Sequence, residues 1–145
     1  MKKLILLGLV AAIIGIQFIP VDRSLPEYSP SDLLALSGAE TGMANMIKDA
    51  CYDCHSYESE YPEYANVAPL SFWIQGHIDN AREELNFSTW GELSGEDQQH
   101  LLKECAEKVE KKEMPLTPFL ITHAEARITE EQRAEMSAWF RSQMK

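Results

Sequence analysis

The sequence Cys51-Tyr52-Asp53-Cys54-His55 decides how the rest of the chain is interpreted. Two cysteines that are separated by two residues and followed at once by histidine form the pattern of covalent c-type haem attachment. The two thiols add to the two vinyl groups on one side of the porphyrin, so they have to lie about one helical turn apart. His55 then stands under the iron as the proximal ligand, because imidazole suits iron well. The stretch predicts one covalently bound haem c.

Three other interpretations of these cysteines fit the chain less well than haem. A thioredoxin-like redox pair sits beside a βαβ pattern, and no stretch of this chain reads as a buried parallel strand. A structural zinc site needs four ligands, usually from a second paired cluster, whereas the third cysteine, Cys105, stands alone on a helical pattern. A chance match to five residues is the last alternative. An export signal and an otherwise helical chain favour haem over all three.

The charge of the chain excludes one class of partner and allows another. The full chain carries 13 Lys and Arg against 23 Asp and Glu, and residues 24–145 alone have a net charge of −12. That sign disfavours nucleic-acid binding. It allows a redox partner protein with a basic docking face, because opposite charges steer the encounter of two proteins.

The N-terminus predicts a signal anchor, residues 1–21. Met1-Lys2-Lys3 is a short basic region, residues 4–19 are apolar apart from Gln17, and Pro20 closes the run. This arrangement is typical of an export signal. No small-x-small cleavage site follows the apolar run, so we expect an uncleaved transmembrane helix. Its 16 apolar-run residues span about 24 Å of helix, and flanking lysines and local thinning can make up the difference from a ~30 Å hydrocarbon core.

The basic end of this helix predicts that the N-terminus stays in the cytoplasm and that the rest of the chain is exported. Residues 22–30 hold two prolines and no periodicity, so they are expected to form an extended tether. Residues 31–145 then form one domain on the periplasmic side of the inner membrane. If the leader were cleaved, the domain would be released into the periplasm.

Hydrophobic periodicity predicts an all-α, single-domain fold around the haem. Ser31 begins a short helix to residue 37, and a second helix runs from about residue 43 into the haem motif. Further helices are expected over residues 70–85, 94–112 and 130–143, the last two with capping-box signatures at Ser94 and Thr129. Residues 119–126 are expected to form a loop.

Met114 is the first candidate for the second axial ligand of the iron. Pro115 and Pro118 exclude a helix at this point, so Met114 is not easily explained as helix core. A thioether is the distal ligand in Met/His cytochromes c, where it raises the potential. His77, which shares the apolar stripe of the helix over residues 70–85 with Trp73, is the runner-up, and His123 is a third candidate.

These stretches resemble a bacterial "haem-binding domain" family of small, N-terminally anchored c-type haem proteins and, more distantly, class I cytochromes c. The resemblance covers nearly the whole chain and rests on the following stretches: Gln17-Phe18-Ile19-Pro20-Val21-Asp22-Arg23, Cys51 to His55, Asn66-Val67-Ala68-Pro69 leading to Trp73, Asn86-Phe87-Ser88, and Glu113-Met114-Pro115. It implies a class I cytochrome c-like helical fold with haem bonded to Cys51 and Cys54 and with His55 as proximal ligand. By analogy with class I cytochromes, Met114 is the distal ligand.

The function expected from these features is electron transfer by a monohaem c-type cytochrome, a carrier rather than an enzyme. Iron with two protein ligands has no open position for a substrate, and it can cycle between Fe(II) and Fe(III) with little rearrangement. The alternative is a haem-based sensor or a peroxidase-like protein, which needs a vacant or displaceable distal ligand. A haem-stabilised interaction module is the third possibility.

Overall fold

The computed structural model describes residues 1–26 and 30–145, and the regular elements within those residues are all helical. They form a single all-helical domain, as expected from the periodicity. The α-helices are α1 (Lys2–Ile16), α2 (Leu33–Ser37), α3 (Thr41–Ile47), α4 (Asp53–His55), α5 (Leu70–Glu84), α6 (Gly95–Glu110), α7 (Thr117–Thr122) and α8 (Glu130–Ser142). A π-helical segment, Lys48–Tyr52, joins α3 to α4, and 3₁₀ turns cover Glu63–Asn66 and Phe87–Glu92.

The helix starts follow the capping residues, with one correction. The Ser94 side chain accepts a hydrogen bond from the Asp97 backbone at the start of α6. Thr129 and Gln132 form a complete capping box at the start of α8. Both sites were expected from the sequence. The cap of α2, however, is Asp32 rather than Ser31, because the Asp32 carboxylate accepts the backbone N–H groups of the first turn.

The core lies where α6 and α8 pack together and where α3 meets α8. Its largest fully buried apolar side chains are Ile47, Phe87, Met136 and Phe140. The rings of Phe87 and Phe140 stack with their centroids 6.4 Å apart. Burial of each such side chain contributes roughly 1.5–3 kcal/mol to folding, so this cluster holds the helix that carries the haem motif against α8.

The structure corrects two further sequence-based expectations. Residues 117–122 form α7 where a loop was expected over residues 119–126, because Pro118 falls in the first turn of that helix, where a proline costs no hydrogen bond. The buried face of α5 consists of Ser71, Gln75 and Ile78, whereas His77 and Trp73, on the predicted apolar stripe, are exposed.

Polar contacts explain which face of α5 is buried. Gln75 accepts a hydrogen bond from the Tyr61 hydroxyl at 3.0 Å and donates one to Asp79 at 2.8 Å. These bonds satisfy the buried amide, so the face that carries Gln75 turns toward the loop before α5.

At the N-terminus, α1 has 15 residues and none of its side chains is buried. Within residues 1–26 and 30–145, no helix has the length and apolar character needed to cross a membrane. The expected tether, residues 22–30, lies partly outside the described residues. Its described beginning contacts the domain through Arg23.

Candidate functional site

The haem motif lies at the end of one continuous helical stretch. This stretch runs through α3, the π-helical segment and α4, and it ends where Ser56 takes an extended conformation (φ −148°, ψ 178°). Single π turns inside α-helices occur frequently at functional sites. Cys51 and Cys54 are three residues apart at this end, so their side chains share one helix face, and both are half-buried.

His55 is oriented by the C-terminal end of α5. Its Nδ1 lies 3.1 Å from the Ala81 carbonyl oxygen and 3.0 Å from the Leu85 carbonyl oxygen. Carbonyl oxygens only accept, so Nδ1 has to carry the proton, and the lone pair of the neutral ring is then on Nε2. Such outer hydrogen bonds fix the ring and raise its basicity as a metal ligand.

Burial also keeps the His55 imidazole neutral. It lowers the pKa of His55, and the two carbonyl contacts oppose this effect only in part. The neutral form therefore persists at neutral pH, which is the form that binds iron. Orientation and protonation state both present Nε2 as a metal ligand.

The thiols of the motif are protonated in the folded protein. Burial and, to a smaller extent, the neighbouring Asp53 raise the pKa of Cys54 to about 11, with Arg82 acting in the opposite direction. The pKa of Cys51 is raised well beyond this, first by burial and then by the thiols of Cys105 and Cys54. Because the thiolate is the reactive form, neither cysteine is activated by its surroundings.

A buried hydrogen bond holds the helix of the haem motif against α2. The Tyr52 hydroxyl lies 2.9 Å and 3.1 Å from the two carboxylate oxygens of Asp32, and both residues are buried. The same carboxylate caps α2. Tyr52 also stacks on Phe87, with the ring centroids 5.4 Å apart. Tyr52, the first of the two residues between the cysteines, is thus fixed by a polar and an aromatic contact.

The loop after the motif is held by Arg82 of α5. Its Nε donates to the Ser56 carbonyl oxygen and its Nη2 donates to the Ser59 hydroxyl, both at 2.8 Å. Arg82 therefore joins α5 to the residues that follow His55 in the sequence, and this reinforces the contact of α5 with His55.

Met114 lies in the turn after α6, and its backbone is held from two sides. Its N–H donates to the Lys108 carbonyl oxygen at 3.2 Å. Its carbonyl oxygen accepts from Nη1 of Arg133 at 3.0 Å, and the same Nη1 donates to the Val109 carbonyl oxygen at 2.7 Å. These hydrogen bonds link the backbone of half-buried Met114 to α6 and α8.

The two histidine candidates lie in different places. His77 is exposed on α5, where its Nδ1 is 2.9 Å from the Trp73 carbonyl oxygen and its ring lies against Trp73. His123 follows α7, stacks on Phe119, and brings Nε2 to 3.9 Å from the carboxylate of Asp53. His123 therefore contacts the motif through Asp53.

A family model described as the haem-binding domain matches residues 11–142. The chain belongs to the haem-binding domain family. The match begins inside α1 and ends at the last residue of α8, so it takes in the whole domain. No curated protein and no solved structure matches the chain.

The donor set of this haem-binding domain fits a haem. An imidazole with a free Nε2 follows two thiols on one helix face, which is the set of groups that covalent haem requires. The zinc alternative needs a cluster of ligands, and the described part of the chain contains no group of three or more His, Cys, Asp or Glu that could hold a metal ion.

Two sets of residues that shape the site were missed from the sequence. The carbonyls of Ala81 and Leu85 orient His55, but backbone groups carry no residue-type signal. Arg133 holds the backbone of Met114, yet in the sequence it is one of several charged residues on an amphipathic helix. Only the tertiary structure reveals either role.

Proposed function

We propose that this haem-binding domain is a monohaem c-type cytochrome that transfers electrons, with haem bonded covalently to Cys51 and Cys54. The observation that carries the proposal is the environment of His55. Two carbonyls of α5 hold its Nδ1–H, which leaves Nε2 for the iron. A haem iron held by two protein ligands supplies reversible one-electron chemistry.

We propose Met114 as the distal ligand and His77 as the runner-up. Hydrogen bonds at both its N–H and its carbonyl fix the Met114 backbone, so little freedom remains to be lost when the thioether binds. Met114 is preferred to His77 as the distal ligand because His77 lies on α5, the helix whose carbonyls already hold the proximal His55. A carrier of this kind is not an enzyme.

We also propose a localisation and a class of partner, both on the basis of the sequence. The protein is held on the periplasmic side of the inner membrane through α1. It exchanges electrons with a redox partner that has a basic docking face, because the chain has a net charge of −10.

The test is the optical spectrum of the exported protein and of its Met114→Ala variant. The wild type should be low-spin in both oxidation states and should show the weak charge-transfer band that methionine sulfur gives on ferric haem. Met114→Ala should lose that band. Met144→Ala is the matched control, because Met144 is also half-buried near a helix end, and it should keep the band.

Two results would redirect the proposal. An unchanged spectrum in Met114→Ala would move the distal ligand elsewhere, and His77→Ala and His123→Ala would then be measured in turn. A wild type that is high-spin and binds CO rapidly would instead support the sensor or peroxidase-like alternative.

A further inference from the structure

The segment that follows α1 is bonded to the domain. The side-chain amide of Gln17 forms two hydrogen bonds with the backbone of Ala68, since Nε2 donates to the carbonyl oxygen and Oε1 accepts from the N–H, both at 3.0 Å. Residues 17–23 are called the strap below. A paired contact of this kind fixes both the position and the direction of the strap.

Arg23 makes the second attachment. It donates to the Asn66 side chain at 2.9 Å and to the Ala65 carbonyl oxygen, and its guanidinium lies 4.1 Å from the centroid of the Tyr61 ring. The Tyr61 hydroxyl in turn donates to Gln75 of α5. The strap is therefore connected to the helix that orients His55.

Helix α1 is apolar on every side. Its large side chains from Leu4 to Ile14 are exposed, from 46% for Val10 to 73% for Leu4, and Ile16 at its end is half-buried. A helix that docks in a protein groove has one apolar face, whereas a helix that is apolar all round is suited to lipid. Its 15 residues give about 22 Å of length, roughly 8 Å less than a bilayer core.

Further exposed apolar side chains surround the point where the strap meets the domain. They are called the apolar rim below, and their exposed fractions are 80% for Phe18, 55% for Ile19, 55% for Val67, 39% for Leu70 and 53% for Trp73. Phe18 and Ile19 belong to the strap, and the other three belong to the domain. The hydrogen bonds between Gln17 and Ala68 bring these two groups beside each other. Tryptophan is enriched at membrane–water interfaces.

We propose that the strap seats the apolar rim in the headgroup region of the bilayer into which α1 inserts. Interfacial elements sit about 5–10 Å deep, which is close to the length that α1 lacks. Lipid is the partner of this face because the rim continues from a helix that is apolar all round. The inference rests on the proposed membrane attachment through α1, but not on the identity of the distal ligand.

The same contacts fix the height of the haem site above the membrane. His55 contacts α5 at Ala81 and Leu85, whereas the rim includes Leu70 and Trp73 of that helix. The helical rise places these two sets roughly 12–22 Å apart along α5. A seated rim therefore presents the haem to partners at a set distance and orientation.

The experiment uses the full-length, reduced holoprotein in phosphatidylcholine nanodiscs whose lipids carry a nitroxide near the headgroup. The indole N–H resonance of Trp73, assigned with Trp73→Phe, should be at least roughly twofold weaker than that of buried Trp90. In the Gln17→Ala/Arg23→Ala variant this difference should shrink, because the domain is released from the strap.

Leu70→Glu tests the rim without disturbing the strap. It should reduce the broadening of Trp73, whereas Leu36→Glu should not, because Leu36 is similarly exposed but lies on α2. A wild type that is bound to the discs with equal Trp73 and Trp90 intensities overturns the seating of the rim and leaves the membrane anchor in place. A protein that stays free of the discs overturns both.

Discussion

Replacing Arg133 by alanine removes the connection between α8 and the turn that carries Met114. One nitrogen of Arg133 donates to the carbonyl oxygens of Val109 and Met114. The first of these residues is buried and the second is half-buried. Within the described residues, the buried Nε of Arg133 has no hydrogen-bond partner. The effect on stability is the balance of these contributions.

The two hydrogen bonds come from a charged donor, and each contributes about 1.5–3 kcal/mol. The unpaired Nε costs roughly 1–3 kcal/mol in the wild type, and this cost disappears with the side chain. In the variant, the Met114 carbonyl can regain water, and the Val109 carbonyl keeps the N–H of Lys112 at 3.1 Å. With the middle of each range, about 4.5 kcal/mol lost and about 2 kcal/mol regained, the net loss in the free energy of unfolding should be about 2–3 kcal/mol.

Urea unfolding of the holoprotein, followed by circular dichroism, measures this loss. With a slope of about 2 kcal/mol per molar urea, the midpoint should fall by about 1–1.5 M. Arg127→Ala is the matched control, because Arg127 also donates to two backbone carbonyls, at 2.9 and 3.3 Å, but is exposed. It should change the free energy by less than about 0.5 kcal/mol. Equal midpoints for the two variants would refute the reasoning.

Three further predictions concern the surroundings of the motif. Tyr52→Phe leaves the buried carboxylate of Asp32 without its hydroxyl donor and should cost about 1–3 kcal/mol in urea unfolding; no change would contradict a structural role for this bond. A methyl group at Gly91 would lie 2.8 Å from a side-chain atom of the loop before α2, so Gly91→Ala should destabilise by about 1–3 kcal/mol, whereas Gly95→Ala, with open space, should not. The pKa of Cys54 rises from 9.0 to about 11 in the folded chain, so iodoacetamide at neutral pH should alkylate folded apoprotein roughly 100-fold more slowly than urea-unfolded chain. Equal rates, measured by peptide mapping, would contradict that shift.

The main helices could be predicted from the sequence because local signals agreed with the tertiary structure. The periodicity and the capping residues Ser94 and Thr129 located α6 and α8 to within a few residues. The helix that enters the haem motif was expected from residue 43 and begins at Thr41. In these cases the residues that set the helix start lie within the helix or next to it.

The face of α5 could not be predicted, because it depends on distant polar partners. The apolar periodicity predicts that Trp73 and His77 face the core. In the structure, Gln75 is buried and bonded to Tyr61, so a polar face of α5 is turned inward instead. The contacts of His55 with α5 were missed for a related reason. They involve backbone carbonyls 26 and 30 residues away, and no pattern of residue types marks such groups.

The attachment of the strap to the domain could not be predicted from the sequence either. In the sequence, Gln17 interrupts an apolar run and Arg23 ends a stretch that resembles the haem-binding domain family, but neither pattern indicates a partner. Their partners are backbone or side-chain groups more than 40 residues away. The structure gives these two residues a shared role in holding the N-terminal segment to the domain.

Covalent attachment of haem to the motif that ends in His55 is the proposal on which the function rests. It is tested most directly by extracting the holoprotein with acidified organic solvent and then determining the mass of the peptide that contains residues 51–55. We predict that the colour stays with the polypeptide and that this peptide carries the added mass of one haem through Cys51 and Cys54. Haem that passes entirely into the solvent, with a peptide of unmodified mass, would contradict the account.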